Sequence, residues 1–181
     1  GRYFDVVAEY AKASPNDIGI RISVTNRGPE AAVLHVLPTL WFRNTWSWGR
    51  TGEEYAPRAE IRPDATGLLR AEHRDLGAFR LALDGEPEAL LFTENETNVE
   101  RLYGTPNPAP YVKDAFHRYL IHGERQAVNP AARGSKAAAH YRLQLAAGQG
   151  AVLQLRLSGE SEAPAAAFGV GFDALFDARR A

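Results

Sequence analysis

Apolar and polar residues alternate over many short stretches of this chain. In the segment from Ile18 to Asn26, three isoleucines and Val24 fall on one face and polar residues fall on the other. This period of two predicts a half-buried β-strand. Comparable alternating or short apolar runs occupy residues 3–10, 33–42, 67–71, 78–84, 88–93, 138–145 and 151–157. Many short strands of this kind predict an all-β fold, an antiparallel β-sandwich.

Glycine and proline separate the predicted strands. Asn26-Arg27-Gly28-Pro29 has turn chemistry, because Gly tolerates positive φ and Pro fixes its own φ. We therefore expect the chain to reverse here and Val33 to Phe42 to form the returning strand. Pro38 lies within that strand and predicts a bulge or an edge position.

Helix is predicted in only two places, as a single turn from Lys113 to Tyr119 and as the start of a helix from Phe172 to Arg180. The segments from Arg43 to Arg62 and from Asn95 to Pro110 show no strand period. Long loops tend to be functional or to pack on another domain. We expect residues 1–160 to form the sandwich, and residues 161–181 to be a linker and the start of a helix leading to a helical domain outside this sequence.

Composition narrows the classes of function. The formal net charge is -1, with 21 basic and 22 acidic side chains, so nucleic acid is not an expected partner. No stretch approaches the ~20 apolar residues that span a bilayer, and we expect no membrane association. Cysteine is absent, which excludes thiolate chemistry and fits a cytoplasmic protein. Methionine is absent too, and we interpret the chain as a piece of a larger protein.

All three tryptophans lie within eight positions, in a string that also contains Arg43 and Asn44. Indole rings stack on the flat faces of sugars, and Arg and Asn can hydrogen-bond hydroxyl groups, so Trp41, Trp46 and Trp48 suit an oligosaccharide site. Trp and Arg are equally enriched at the centres of protein interfaces. We favour the interface and keep direct sugar contact as the alternative.

The segment Glu94-Asn95-Glu96-Thr97-Asn98 supplies two nearby carboxylates. Glycoside hydrolysis uses a pair of carboxylates as acid and base. Acidic residues at the end of a strand are more often turn or cap residues, and this is the interpretation we favour. The sequence therefore marks Glu94 and Asn95 as candidate binding or interface residues and predicts no catalytic residue.

Metal and cofactor sites are not predicted. The histidines are scattered without ligand spacing, and no phosphate-binding glycine loop is present. Two of them lie near Lys113 and Asp114, which suggests a polar cluster there. The five histidines are His35, His73, His117, His122 and His140.

Several strings match a known family together. They are Tyr3-Phe4-Asp5-Val6, Glu9-Tyr10-Ala11-Lys12-Ala13, Thr25-Asn26-Arg27-Gly28-Pro29-Glu30, the stretch from Leu37 to Trp46, Thr93-Glu94-Asn95, Lys113-Asp114 and Ala127-Val128-Asn129-Pro130. With these strings the chain resembles the N-terminal β-domain region of bacterial proteins similar to glycoside hydrolase family 63. That family comprises α-glucosidases and includes processing oligosaccharide glucosidase.

The resemblance implies a super-sandwich, similar to galactose mutarotase, packed against an (α/α) toroid of helices. It also implies that two carboxylates of the helical part hydrolyse the substrate with inversion. Those acidic motifs are not found in this sequence, so no catalytic residue is carried over. The tryptophan string is the segment we expect to reach the rim of the substrate site.

Three hypotheses follow. The first is a non-catalytic sandwich domain of a glycoside hydrolase, whose partner is the helical domain of the same protein. The second is an autonomous carbohydrate-binding module that uses the three tryptophans. The third is a mutarotase-like sugar epimerase that uses His117 or His122.

Overall fold

Two antiparallel β-sheets form the body of the molecule in a computed structural model that describes residues 1–52 and 57–180. The predicted all-β sandwich is confirmed. The strands in the described residues are β1 (Phe4–Ser14), β2 (Asp17–Asn26), β3 (Ala32–Val36), β4 (Thr39–Trp41), β5 (Glu60–Ala65), β6 (Leu68–His73), β7 (Gly77–Leu83), β8 (Ala89–Thr93), β9 (Lys136–Leu145) and β10 (Gly150–Gly159).

The larger sheet has six strands in the order β1-β2-β10-β7-β6-β5. Every neighbouring pair in it is antiparallel. Because β10 lies between β2 and β7, it joins the first hairpin to the β5–β7 meander. Strands that are distant in sequence thus belong to one continuous sheet.

The smaller sheet is built around β9. One edge of β9 pairs with β8, and its other edge pairs with β3 and β4 in succession. Pro38 lies between β3 and β4, so the predicted irregularity is a complete break in the strand. The expectation that the strand after Pro29 returns along β2 was wrong, because this strand pairs with β9.

The main core lies between the two sheets. The larger sheet contributes buried aliphatic side chains, and the smaller sheet contributes Phe92, Tyr141 and two alanines of β9. Alternate residues of each strand point inward, as the sequence period requires. From the larger sheet the buried members are Ile61, Leu69, Ala71, Leu81, Leu83, Leu153 and Leu155.

Three α-helices in the described residues pack outside this core: α1 (Val99–Tyr103), α2 (Ala115–Ile121) and α3 (Val170–Arg180). Phe116 of α2 packs on the outer face of the smaller sheet, and Phe172 and Phe176 of α3 pack against Ala11 of β1. The terminal helix therefore belongs to the same packed body as the sandwich. Within residues 1–52 and 57–180, no helix has the length and apolarity to cross a membrane.

Three local predictions need correction. The expected loop from Arg43 to Arg62 contains the start of β5, which the sequence hides because Ile61 is its one buried residue. The expected loop from Asn95 to Pro110 contains α1, whose first turn is capped by the side chain of Asn98. Helix α2 runs to Ile121 and is longer than the predicted single turn.

Candidate functional site

The chemically notable segments converge at one end of the smaller sheet. Trp41 ends β4 and Thr93 ends β8, and both lie opposite Lys136, the first residue of β9. The segments that follow Trp41 and Thr93 and the segment that precedes Lys136 therefore leave the sheet together. We call this region the aromatic sheet end and define it as residues 41–48, 58, 94–98, 113–114 and 134–136.

The carboxylate of Glu96 is the centre of a buried network. Its side chain is 4% exposed. The Trp46 indole Nε1 donates a hydrogen bond to Glu96 Oε1 over 2.9 Å, and Arg58 Nη2 donates to the same oxygen over 3.0 Å. Arg58 Nη1 also lies 3.4 Å from Oε1 of Glu94. One guanidinium therefore holds both carboxylates, and the indole fixes the position of the tryptophan string.

Ser135 and Asn95 extend this network to the backbone. The Ser135 backbone N–H donates to Glu94 Oε2 over 3.2 Å, and the Ser135 hydroxyl donates to the same oxygen. Asn95 N donates to Ser135 Oγ over 2.9 Å, and Asn95 Nδ2 donates to the carbonyl of Phe42 over 2.9 Å. The three segments at this end are thus joined by side-chain hydrogen bonds, which fix their relative positions.

Gly134 permits the segments to approach so closely. A Cβ atom at this position would lie 2.3 Å from the carbonyl oxygen of Thr93. The backbone of Gly134 also exchanges two hydrogen bonds with Ile61 of the larger sheet, of 2.7 and 3.1 Å. The absence of a side chain here is therefore needed to bring β5, β8 and the start of β9 together.

Two of the three tryptophans face outward. Trp41 is 55% exposed and Trp48 is 50% exposed, whereas Trp46 is half-buried on Glu96. The guanidinium carbon of Arg43 lies 5.3 Å from the centroid of the Trp48 ring, within cation–π range. The 3-10 turn Trp46–Trp48 therefore presents one indole to the interior and one to the surface.

The side chain of Asn44 orders that turn. Asn44 Oδ1 accepts hydrogen bonds from Ser47 N over 3.2 Å and from Ser47 Oγ over 2.9 Å. Both atoms of Ser47 are thereby tied to the residue that precedes the turn. The structure thus gives Asn44 a local structural contact within the predicted string.

Lys113 and Asp114 join this end to α1 and α2. Lys113 N donates to the carbonyl of Glu96 over 2.9 Å, and Lys113 Nζ donates to Thr97 Oγ1 over 3.1 Å. Asp114 accepts hydrogen bonds from Asn98 Nδ2, over 3.1 Å to one oxygen and 3.2 Å to the other. These contacts make both predicted residues part of the scaffold around the aromatic sheet end.

The histidines separate into two pairs. The rings of His117 and His122 lie 5.4 Å apart, beside a polar cleft of about 460 Å³ that Arg101 and Glu124 also line. His35 Nδ1 and His140 Nε2 form a hydrogen bond of 2.7 Å. Burial lowers the pKa of His140. In the described residues, no three His, Asp or Glu side chains are grouped as metal ligands.

Sequence reasoning missed Arg58, Ser135 and Lys136. Lys136 Nζ donates to the carbonyl of Lys113 over 2.8 Å and lies 4.8 Å from the centroid of the Phe116 ring. Burial, followed by the charge of Lys113, lowers the pKa of Lys136. The sequence offered one signal for Arg58. Two glutamates close together in the chain need a positively charged partner, and arginine can pair with both.

The two glutamates are arranged as acceptors within the fold. Oε1 of Glu96 already accepts two hydrogen bonds, and Oε2 of Glu94 accepts two from Ser135. A substrate would have to displace these donors to reach those atoms. The interpretation of this segment as structural turn chemistry therefore fits the geometry better than an acid and base pair.

Comparison with known proteins gives one relationship of note. The chain is similar to the uncharacterized protein YMR196W of Saccharomyces cerevisiae (strain ATCC 204508 / S288c). The alignment of 163 residues is 33% identical and includes 77% of this chain but 15% of the yeast protein. No protein-family model matches the chain. The chain thus spans a small part of the length of the curated relative it matches.

Proposed function

We propose that this chain is the non-catalytic β-sandwich domain of a larger glycoside hydrolase of the α-glucosidase type. In this proposal the aromatic sheet end faces the helical catalytic domain and the rim of its substrate site. Hydrolysis with inversion is carried out by two carboxylates of the helical domain, as the resemblance to glycoside hydrolase family 63 implies.

The observation that carries this proposal is the arrangement of the tryptophans. Trp41 and Trp48 are large, half-exposed indoles, and exposed aromatic side chains of this size are enriched where a surface binds a partner. They stand on a network in which Trp46 is already bound to Glu96. A rigid base beneath exposed aromatic groups suits an interface or a sugar contact, because little side-chain entropy is lost on binding.

The length of the yeast relative also supports a role within a larger protein. This chain corresponds to 15% of that protein, which leaves ample sequence for a catalytic domain. The geometry of Glu94 and Glu96 supports the non-catalytic role, because Arg58 and Ser135 already hold their oxygens.

The first test compares the purified chain with the complete protein on an aryl α-glucoside. We expect no turnover by residues 1–181 and hydrolysis with inversion of the anomeric centre by the complete protein. Turnover by homogeneous residues 1–181 would overturn the non-catalytic role. Absence of glycosidase activity in the complete protein, on a panel of α-glucosides, would overturn the enzyme class.

The second test addresses the aromatic sheet end in the complete protein. Replacing Trp41 and Trp48 together by alanine should lower kcat/KM on an oligosaccharide by about tenfold or more, given the cost of losing buried aromatic contacts. Val170→Ala is the matched control, because Val170 is 90% exposed and lies at the start of α3. Equal activity of the double variant and the control would remove the proposed role of this surface.

A carbohydrate-binding module is the second candidate, and the Arg43–Trp48 contact favours it. A guanidinium stacked on an exposed indole orders the ring that a sugar would cover. Tryptophan fluorescence of residues 1–181, titrated with gluco-oligosaccharides, separates the two functions. Saturable micromolar binding that disappears in Trp48→Ala supports the module, and no binding up to millimolar sugar supports the domain interface.

A further inference from the structure

The first strand has an open edge with apolar side chains. β1 pairs with β2 on one side, and within residues 1–52 and 57–180 no strand pairs with its other side. On the face of the sheet that carries the core, Val6 is 55% exposed and Tyr10 is 70% exposed. A long, apolar edge strand is a template for pairing with another chain.

The backbone polarity of β1 shows which residues would make that pairing. Arg27 N donates to the carbonyl of Tyr3 over 2.9 Å, so odd-numbered residues of β1 direct their N–H and C=O groups toward β2. Alternation in an antiparallel ladder then directs the groups of the even-numbered residues outward. These residues are Phe4, Val6, Ala8, Tyr10 and Lys12.

The opposite edge of the same sheet is blocked. β5 has six residues and contains Pro63 between Arg62 and Asp64, and its register shifts between Pro63 and Ala65. Proline and a bulge are devices by which proteins prevent edge pairing. β1 has 11 residues, no proline, and a register shift only near its end, between Lys12 and Ser14.

We infer that β1 pairs antiparallel with β1 of a second copy of this chain, across a twofold axis at Ala8. In this register Val6 lies opposite Tyr10 of the other copy, twice, which places a β-branched residue against an aromatic one. The carbonyl of Lys12 already accepts a hydrogen bond from Arg179 Nε over 2.7 Å, so the contact is made by the stretch from Phe4 to Tyr10. A closed, self-complementary contact of this kind is the usual form of a homodimer.

The acidic residues select this register. With the axis at Ala8, Asp5 lies opposite Ala11 and Glu9 lies opposite Val7. Moving the axis to Val7 places Asp5 against Glu9, and moving it to Glu9 places two copies of Glu9 together, and like charges directly opposite destabilise a sheet. The contact lies on the larger sheet, so it is independent of the function proposed for the aromatic sheet end.

The test is the mass of the purified chain by light scattering after size-exclusion chromatography. Wild type should have twice the mass of one 19.9 kDa chain. Ala8→Pro removes an outward N–H and leaves the ladder to β2, so it should raise the Kd of the dimer by at least about tenfold. Ala8→Val keeps the N–H and is the matched control, which should remain dimeric.

Tyr10→Lys provides a second variant that does not depend on proline. Tyr10 is exposed in the single chain, so the variant should fold like wild type by circular dichroism and be monomeric. A wild-type chain that stays monomeric at about millimolar concentration overturns the inference. An unchanged dimer Kd in folded Ala8→Pro also overturns it, because the outward N–H is then not used. Slow amide exchange along β1 in a monomeric complete protein overturns it too, because another part of that protein then covers the edge.

Discussion

Trp46 and Trp48 stand two residues apart in the same 3-10 turn and have opposite environments. Trp46 donates its indole N–H to the buried carboxylate of Glu96, whereas Trp48 is half-exposed beneath Arg43. Neighbouring aromatic residues are thus separated into buried and exposed positions by the hydrogen-bonding groups beneath them. The inward half belongs to the scaffold, and the outward half lies at the surface, as Trp41 does.

The largest effect should come from removing the close approach that supports the inward half. Gly134→Ala places a Cβ atom against the backbone of Thr93, so we expect a loss of at least about 3 kcal/mol in the free energy of unfolding. Gly171→Ala in α3 is the matched control, because no heavy atom lies within 4 Å of its added Cβ. Urea unfolding that gives equal stabilities for the two variants would contradict this reason for Gly134.

The next effect tests the network itself. Glu96→Ala removes the buried acceptor of the Trp46 N–H and of Arg58 Nη2 and leaves Arg58 only its contact with Glu94, which should cost about 2–3 kcal/mol. Glu86→Ala, at an exposed residue of the turn after β7, is the control and should change stability by less than about 0.5 kcal/mol. If chemical denaturation shows the same midpoint for both variants, the network does not stabilise the fold.

A histidine pair repeats the contrast between buried and exposed members. His140 is buried and His35 is exposed, and burial lowers the pKa of His140 in the folded state. Since the unfolded state has the ordinary pKa of about 6.5, it binds more protons as the pH falls below that value. The stability that depends on neutral His140 is therefore complete above this pH and is lost as the pH falls toward the folded pKa.

The measurement is the free energy of unfolding at about pH 7.5 and about pH 5.5, which bracket the ordinary pKa of histidine. We expect wild type to lose stability on acidification and His140→Leu to lose less. The charges of His35, Glu88 and Arg125 act on His140 in both directions, so His35→Gln is measured in parallel. An equal loss in wild type and His140→Leu would assign the pH dependence to other groups.

The smallest effect on stability is expected for the outward half. Trp41→Ala and Trp48→Ala should each change the free energy of unfolding by at most about 0.5 kcal/mol, because the residues are half-exposed. Thermal unfolding of residues 1–181 checks this result. A loss comparable to that of Glu96→Ala would show that these two indoles also stabilise the fold. They would then not differ from Trp46 in the way described.

Much of the fold was readable from the sequence because alternation reports which face of a strand is buried. The strand from Ile18 to Asn26 and the break near Pro38 follow from local patterns. The pairing of β3 with β9 was not readable, since it joins residues more than 100 positions apart, such as Val36 and Tyr141. Strand β5 was missed because Pro63 and its charged neighbours conceal an edge strand.

The candidate site was only partly readable. The tryptophan string and the Glu94–Asn95 segment were marked by composition, and the structure brings them together at one end of the sheet. The division of the string could not be foreseen, because it depends on Glu96 and Arg58 meeting from separate loops. Ser135 and Gly134 carry no local signal, and only the close packing against Thr93 and Glu94 shows their importance.

The proposed function requires that the outward tryptophans contact the rest of a larger enzyme. Hydroxyl-radical footprinting, read by mass spectrometry, measures the oxidation rate of each tryptophan in residues 1–181 and in the complete protein. We predict that Trp41 and Trp48 are protected by at least about threefold in the complete protein, as expected for residues at the centre of an interface, while Trp46 changes little. Equal rates for Trp41 and Trp48 in the two proteins would contradict the claim.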